Sequence, residues 1–207
     1  MYLEKLTGII PPPANPTHCG NSNERNLFEE RTGLFLPDDY YELLHRYGAG
    51  YFCNHDKEDE TFYNCIAIYN PFSFDSWLNM DKALKREREF YIDFQREERI
   101  DAERMRNMAR ENPYLKLNPV NLIYIYPFFP DKNGLIPLGD MGELECKLYL
   151  KPNESDIGYS VLAERFPKFY EYNVTVTQFL YELLTGQIPQ IDMGDMFDEK
   201  IVFYSVS

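Results

Sequence analysis

The sequence is poor in basic residues, histidine and long apolar runs, and each shortage removes a class of function. Lysine and arginine number 21 against 34 aspartates and glutamates, a formal net charge of −13. Nucleic-acid phosphates and anionic membrane surfaces are gripped by clustered Lys and Arg, so neither is expected as a partner. No stretch approaches the roughly 18 consecutive apolar residues of a membrane-spanning helix. Met1–Pro13 has a single lysine and a short apolar stretch before three prolines. That is not the charged, apolar and small-residue order of a signal peptide, and the expected compartment is the cytoplasm. Cysteine is sparse as well: Cys19, Cys53, Cys65 and Cys146 are irregularly spaced and read as reduced thiols rather than a disulfide framework.

What is present is a core. In 207 residues, 44% are hydrophobic and 16% aromatic, which excludes a disordered acidic tail and suits one domain. Pro11, Pro12, Pro13 and Pro16 mark residues 1–21 as an irregular lead-in. A helix is expected from about Asn26 to Gly33. A second begins at Pro37, with Asp38 and Asp39 in its first turn, where the helix dipole favours negative charge. Tyr40, Leu43, Leu44 and Tyr47 give it one apolar face, and Gly48 stops it. Phe62–Tyr69 reads as a strand.

From about 73 to 111 the chain is helical and densely charged. Asp81–Glu111 carries nine basic and nine acidic residues, so the other 12 basic and 25 acidic residues hold all of the −13. Trp77, Leu84, Tyr91 and Met105 share a seven-residue spacing, with Met80, Phe94 and Met108 on a second row. Glu87, Glu98 and Asp101 interrupt the stripe, which argues for a surface-lying helix or helix pair inserted into a smaller core, not a coiled coil. Strands are expected at Leu122–Phe129, Leu135–Leu138, Leu144–Leu150 and Ile157–Leu162, joined by Asn, Asp and Gly turns as an antiparallel meander. A last helix, Thr177–Leu184 with Thr177 as its cap, and a tail strand over 200–206 complete the order. The fold class is α+β: a single domain, mostly antiparallel sheet packed against helices, with a charged helical insertion.

Chemistry is thinly supplied. His18, His45 and His55 are scattered, and no G-x-S-x-G, H-E-x-x-H or P-loop is present. Cys53, His55 and Cys65 lack the paired knuckles of a zinc site. No catalytic residue, metal or cofactor is therefore expected. Two acidic clusters stand out: Asp56, Glu58, Asp59 and Glu60 in a loop, and Asp140, Glu143 and Glu145 around a Gly139–Gly142 turn. Paired aromatics at Tyr40-Tyr41, Tyr51-Phe52, Phe62-Tyr63, Phe128-Phe129 and Phe169–Tyr172 exceed what a small core needs if all face inward. Aromatics ringed by carboxylates suit a protein-binding surface, since tyrosine offers contact area at low entropy cost.

Three blocks together resemble the SUKH superfamily, the group that includes fungal cell-wall-synthesis regulators. They are Phe28–Gly50, with Gly33-Leu-Phe-Leu-Pro-Asp-Asp-Tyr between two helices and a Gly-rich turn after them; Asn133–Tyr149, a strand pair about a polar Gly-rich turn; and Tyr172–Gly186, a closing helix. Residues 22–207 read as a SUKH-like domain with its insertion at about 73–111. Tyr47 and Met141-Gly142-Glu143 depart from the family pattern, which has Asn and Gly-Gly-Asp there. The resemblance implies a bacterial immunity protein that neutralises a cognate toxin, often a nuclease, by direct binding, with no enzymatic activity. A basic toxin suits the charge, because an acidic inhibitor is steered onto a phosphate-binding surface. The seven acids of the two clusters are the candidate contacts. An intracellular regulatory scaffold, a carboxylate-based hydrolase and a structural acidic domain of a mobile element are the rival expectations.

Overall fold

The computed structural model describes residues 1–55, 62–111, 126–142, 145–153, 158–165, 168–188, 191 and 200–206, without the side chains of 62–64, 105, 106, 109 and 111. The expected acidic loop Asp56, Glu58, Asp59 and Glu60 lies outside them, as do Glu143 and the first half, 122–125, of the strand expected at 122–129. Its described half, 126–129, is no strand and makes only an isolated bridge from Phe128 to Leu135.

The described elements are five helices and seven strands: α1 Tyr2–Ile9, α2 Ser22–Thr32, α3 Asp38–Tyr47, β1 Gly50–His55, β2 Phe62–Ile68, α4 Met80–Glu111, β3 Ile136–Met141, β4 Cys146–Pro152, β5 Tyr159–Arg165, β6 Lys168–Tyr172, α5 Val176–Leu184 and β7 Ile201–Ser205. The strands form one sheet in the order β6-β5-β4-β3-β2-β1-β7, and every neighbouring pair is antiparallel. The α+β expectation holds.

The helices end where local chemistry ends them. Asn21 caps α2, its side chain accepting the Asn23 and Glu24 amides at 2.9 and 3.1 Å, while Glu24 accepts the Asn21 amide at 2.9 Å. This reciprocal box satisfies amides that no helical carbonyl reaches. The cap of α5 is Thr175, which accepts from the Gln178 amide at 3.2 Å. Thr177, the expected cap, sits inside the helix and donates its amide to Asp39 of α3 at 2.9 Å. One carboxylate thus ties the two helices together.

Two expectations are corrected. The lead-in is not irregular throughout, because α1 forms before the prolines, with Leu3 and Leu6 buried on one face and Ile10 buried just past its end. The prolines start only at residue 11, and the 3, 4 spacing of those side chains is enough to bury one stripe. The charged segment, expected as one helix or a helix pair from about 73, is a single 32-residue helix, α4, that starts only at Met80, after a turn over 70–79. Asn79 caps it by accepting the Lys82 amide at 3.0 Å.

The helices divide between the two faces of the sheet. Phe52, Ile66, Ile136, Leu148, Leu150 and Val161 pack with Leu6, Tyr40, Leu44 and Phe179 from α1, α3 and α5. Fully burying each such side chain is worth about 1.5–3 kcal/mol. On the other face Tyr149 and Leu162 join Phe128 and Leu135, with Tyr91 and Phe94 of α4 against them. The alternation of β4 sends Cys146, Leu148 and Leu150 to the first face and Lys147, Tyr149 and Lys151 to the second.

Cys53 and Cys65, expected as free thiols, face each other across β1 and β2 as a disulfide. The bond closes a loop of sequence separation 12, worth roughly 3 kcal/mol if it acts through unfolded-chain entropy. Of the other two cysteines, Cys19 is half-buried and Cys146 buried, and burial pushes the Cys146 thiol up to about 12. In oxidised native protein a thiol reagent is therefore expected to modify Cys19 only, with Cys146 reacting after denaturation and Cys53 and Cys65 only after reduction. Mass spectrometry of alkylated samples reads the three steps; early labelling of Cys146 would contradict its burial.

Candidate functional site

The site is built from strand register. Reading partners across the sheet gives one continuous row: Phe169 opposite Glu164, Glu164 opposite Lys147, Lys147 opposite Asp140, Asp140 opposite Ala67, Ala67 opposite Tyr51 and Tyr51 opposite Tyr204. Residues directly opposite share a face. All seven strands therefore contribute one side chain to the α4 face.

The first half of α4 closes one end of this row. Glu87, only 3% exposed, accepts from Lys147 Nζ at 2.7 Å and from the Tyr149 hydroxyl at 3.2 Å. The Tyr149 hydroxyl also lies 3.0 Å from Glu164, itself 4% exposed. Arg86 lies 3.4 Å from the other Glu87 oxygen and donates to the Tyr69 hydroxyl at 2.8 Å. Buried charges are tolerated only when paired and hydrogen-bonded, and here each has partners. Farther along, Lys151 and Ser160 donate to Glu171 at 2.6 and 2.9 Å. Burial alone would raise the Glu171 carboxyl, but those hydrogen bonds outweigh it and hold the group below its ordinary value.

The other end of the row is open. Tyr51 and Ala67 are half-exposed and Tyr204 is 47% exposed. The 70–79 turn, linked to this end through Asp75 and Tyr51, presents Trp77 at 65% and Phe74 at 88% exposure. The Arg86 guanidinium lies over the rings of Tyr69 and Trp77, and Asp75 acts electrostatically on Tyr51. Phe74 in turn meets His18 edge-on, with ring centroids 5.2 Å apart. Exposed aromatics mark recognition surfaces where they are grouped, whereas single ones are ordinary.

Asp140 stands where the closed and open ends meet. It is half-buried, and desolvation raises its carboxyl above the ordinary value against the pull of Lys147 and Arg86. The sequence placed Asp140 and Glu145 together as turn acids, and the structure separates them. Asp140 lies within β3, whereas Glu145 is exposed with a backbone φ of 48°. The partners of Asp140 — Arg86, Glu87, Lys147 and Tyr69 — were missed by sequence reasoning. The one available signal was Glu87 standing in the apolar stripe of α4, read as a gap rather than an anchor.

Nucleophile and metal chemistry find little here. Among the described residues no group of three His, Cys, Asp or Glu is placed to hold a metal. Cys19 and His45 line the same groove of about 700 Å³ between α1, α2 and α3. The Cys19 thiol donates to the Pro16 carbonyl and burial raises its pKa, the opposite of the activation a nucleophile needs. Among the described residues no helix is long and apolar enough to cross a membrane. Comparison with protein-family models, curated proteins and solved structures finds no match.

Proposed function

We propose that the chain is a cytoplasmic, non-enzymatic binding protein of the immunity type, which neutralises a basic, nuclease-like toxin by direct contact. The observation that carries this reading is the row itself: beside Asp140, which lies among Lys147, Arg86 and Tyr69, it continues strand by strand through Ala67 and half-exposed Tyr51 to exposed Tyr204, with exposed Trp77 and Phe74 on the 70–79 turn. A toxin Lys or Arg entering there gains an ion pair with Asp140 and stacking on tyrosine or tryptophan faces, and the surrounding net charge of −13 steers it in. A reducing cytoplasm would open the Cys53–Cys65 disulfide, which is not the only link between β1 and β2, since the two strands are also joined by backbone pairing.

The stability of Asp140 supports a binding role. A carboxyl whose folded pKa is raised stabilises the fold fully only below its unfolded pKa near 3.9, and that contribution is lost as pH rises through the folded value. Ionised Asp140 therefore costs stability at neutral pH, as expected of a residue kept for recognition. Asp140→Asn is predicted to be more stable than the natural chain at pH 7 and indistinguishable from it below about pH 4.

The test is co-expression and co-purification with the toxin encoded beside the gene, followed by stopped-flow association. Asp140→Asn is expected to weaken binding about tenfold, and natural association to slow at least tenfold between about 50 and about 500 mM salt. Equal rates at both salt concentrations, or full toxin protection by Asp140→Asn together with Trp77→Ala, would refute the site.

A further inference from the structure

We propose that β7 is a self-pairing edge: two copies of the chain associate by antiparallel β7–β7 pairing about a two-fold axis at Phe203, making one continuous sheet. The order of strands leaves β7 at the end of the sheet, and among the described residues no strand pairs with its outer side. The direction of its backbone groups follows from two hydrogen bonds to β1, Val206 N–H to the Ala49 carbonyl at 3.0 Å and His55 N–H to the Lys200 carbonyl at 3.3 Å. Because the intervening register is unbroken, residues 200, 202, 204 and 206 bond to β1. Ile201, Phe203 and Ser205 consequently direct their N–H and C=O groups outward.

Those three positions are self-complementary. With the axis at Phe203, Ile201 of one copy meets Ser205 of the other and Phe203 meets Phe203, so every facing pair consists of two outward residues. Each pair exchanges two backbone hydrogen bonds, and no register shift is needed. Val202 and Tyr204 meet between them as an apolar pair on the α4 face.

The side chains favour the same occupant. Edge strands are ordinarily guarded by charge, proline or a bulge. Ile201-Val-Phe-Tyr-Ser205 has none of these, although the whole chain carries −13. The opposite edge, β6, carries Lys168 and Glu171, and Glu171 is already engaged with Lys151. Two copies can therefore meet at β7 without opposing charges, whereas their acidic surfaces elsewhere repel. The interface is small, two five-residue strands and the side chains flanking them, which fits reversible association rather than a permanent dimer.

Proline offers a selective test, because the Ser205 N–H is used only by the second copy. Ser205→Pro removes that donor and sets a ring in the path of an approaching strand, leaving the β7–β1 bonds in place. Sedimentation velocity on the full chain, from low to hundreds of micromolar, is expected to show a monomer–dimer equilibrium that Ser205→Pro weakens about tenfold or more. Hydrogen exchange is the second measurement and needs no variant. The amides of 201, 203 and 205 should gain protection with concentration, while those of 202 and 204 stay protected throughout. A chain that remains monomeric, or a dimer whose odd-numbered amides exchange independently of concentration, overturns the proposal. So does protection of those amides only on adding a different protein.

Discussion

Replacing Glu87 by alanine is expected to lower the unfolding free energy by about 2–4 kcal/mol, or roughly 5–15 °C in Tm for a chain of this size. The carboxylate is buried and holds Lys147 and Tyr149 at once, so its removal takes the ion pair from Lys147 and one of two carboxylate partners from Tyr149, leaving Glu164 as the other. The cost stays below that of a fully buried pair because the Lys147 side chain keeps 31% of its exposure and turns partly to water. Arg31→Ala is the control. Its ion pair with Asp81 also ties α4 to the body, but the partners are 56% and 38% exposed, and its loss should cost under about 1 kcal/mol. Urea denaturation measures both variants. If Glu87→Ala and Arg31→Ala differ by less than about 0.5 kcal/mol, the buried cluster is not what anchors the helix.

The same substitution reaches the proposed binding site. Glu87 raises the Asp140 carboxyl and Lys147 lowers it, so losing the former frees the latter to pair with Asp140. The Asp140 pKa should fall in Glu87→Ala, measurable by carbon-detected NMR titration. Anchoring α4 and tuning Asp140 are then two consequences of one buried carboxylate.

How much of this was legible follows from the range of each signal. α3 was readable because the 3, 4, 7 spacing of Tyr40, Leu43, Leu44 and Tyr47 is local, and all four are buried. The hairpin β3–β4 was readable in outline from its glycine turn. α1 was overlooked because the prolines after it dominated the reading, although Leu3, Leu6 and Ile10 carry the period. β1 was overlooked because Gly48-Ala-Gly50 read as a turn and the aromatics after it as surface, whereas Phe52 packs between Tyr47 and Phe203. The row from Phe169 to Tyr204 lay beyond local reading altogether. It exists only once β3 pairs with β2 across the whole of α4, and β7 returns to β1. Register between strands so distant is set by packing, and sequence spacing carries no trace of it.

Gly48→Ala is expected to be more damaging than Gly33→Ala, and the difference isolates steric contact from backbone strain. Both glycines follow helices with φ near +74°, where a side chain is disfavoured. At Gly33, in the left-handed helical region, an added methyl would meet nothing within 4 Å, so alanine should cost about 1 kcal/mol. Gly48 has ψ −150°, a combination open essentially to glycine alone, and its methyl would overlap the Thr17 carbonyl oxygen and amide nitrogen. That carbonyl accepts the Ala49 amide at 2.9 Å, and the Thr17 hydroxyl donates to the Val206 carbonyl. One methyl would therefore displace the junction of the N-terminal segment, β1 and the end of β7. A loss of at least about 3 kcal/mol is expected, with lowered hydrogen-exchange protection at Ala49 and Val206. Equal destabilisation by the two alanines would mean that the Thr17 backbone yields freely, and that Gly48 is kept for its dihedral angles alone.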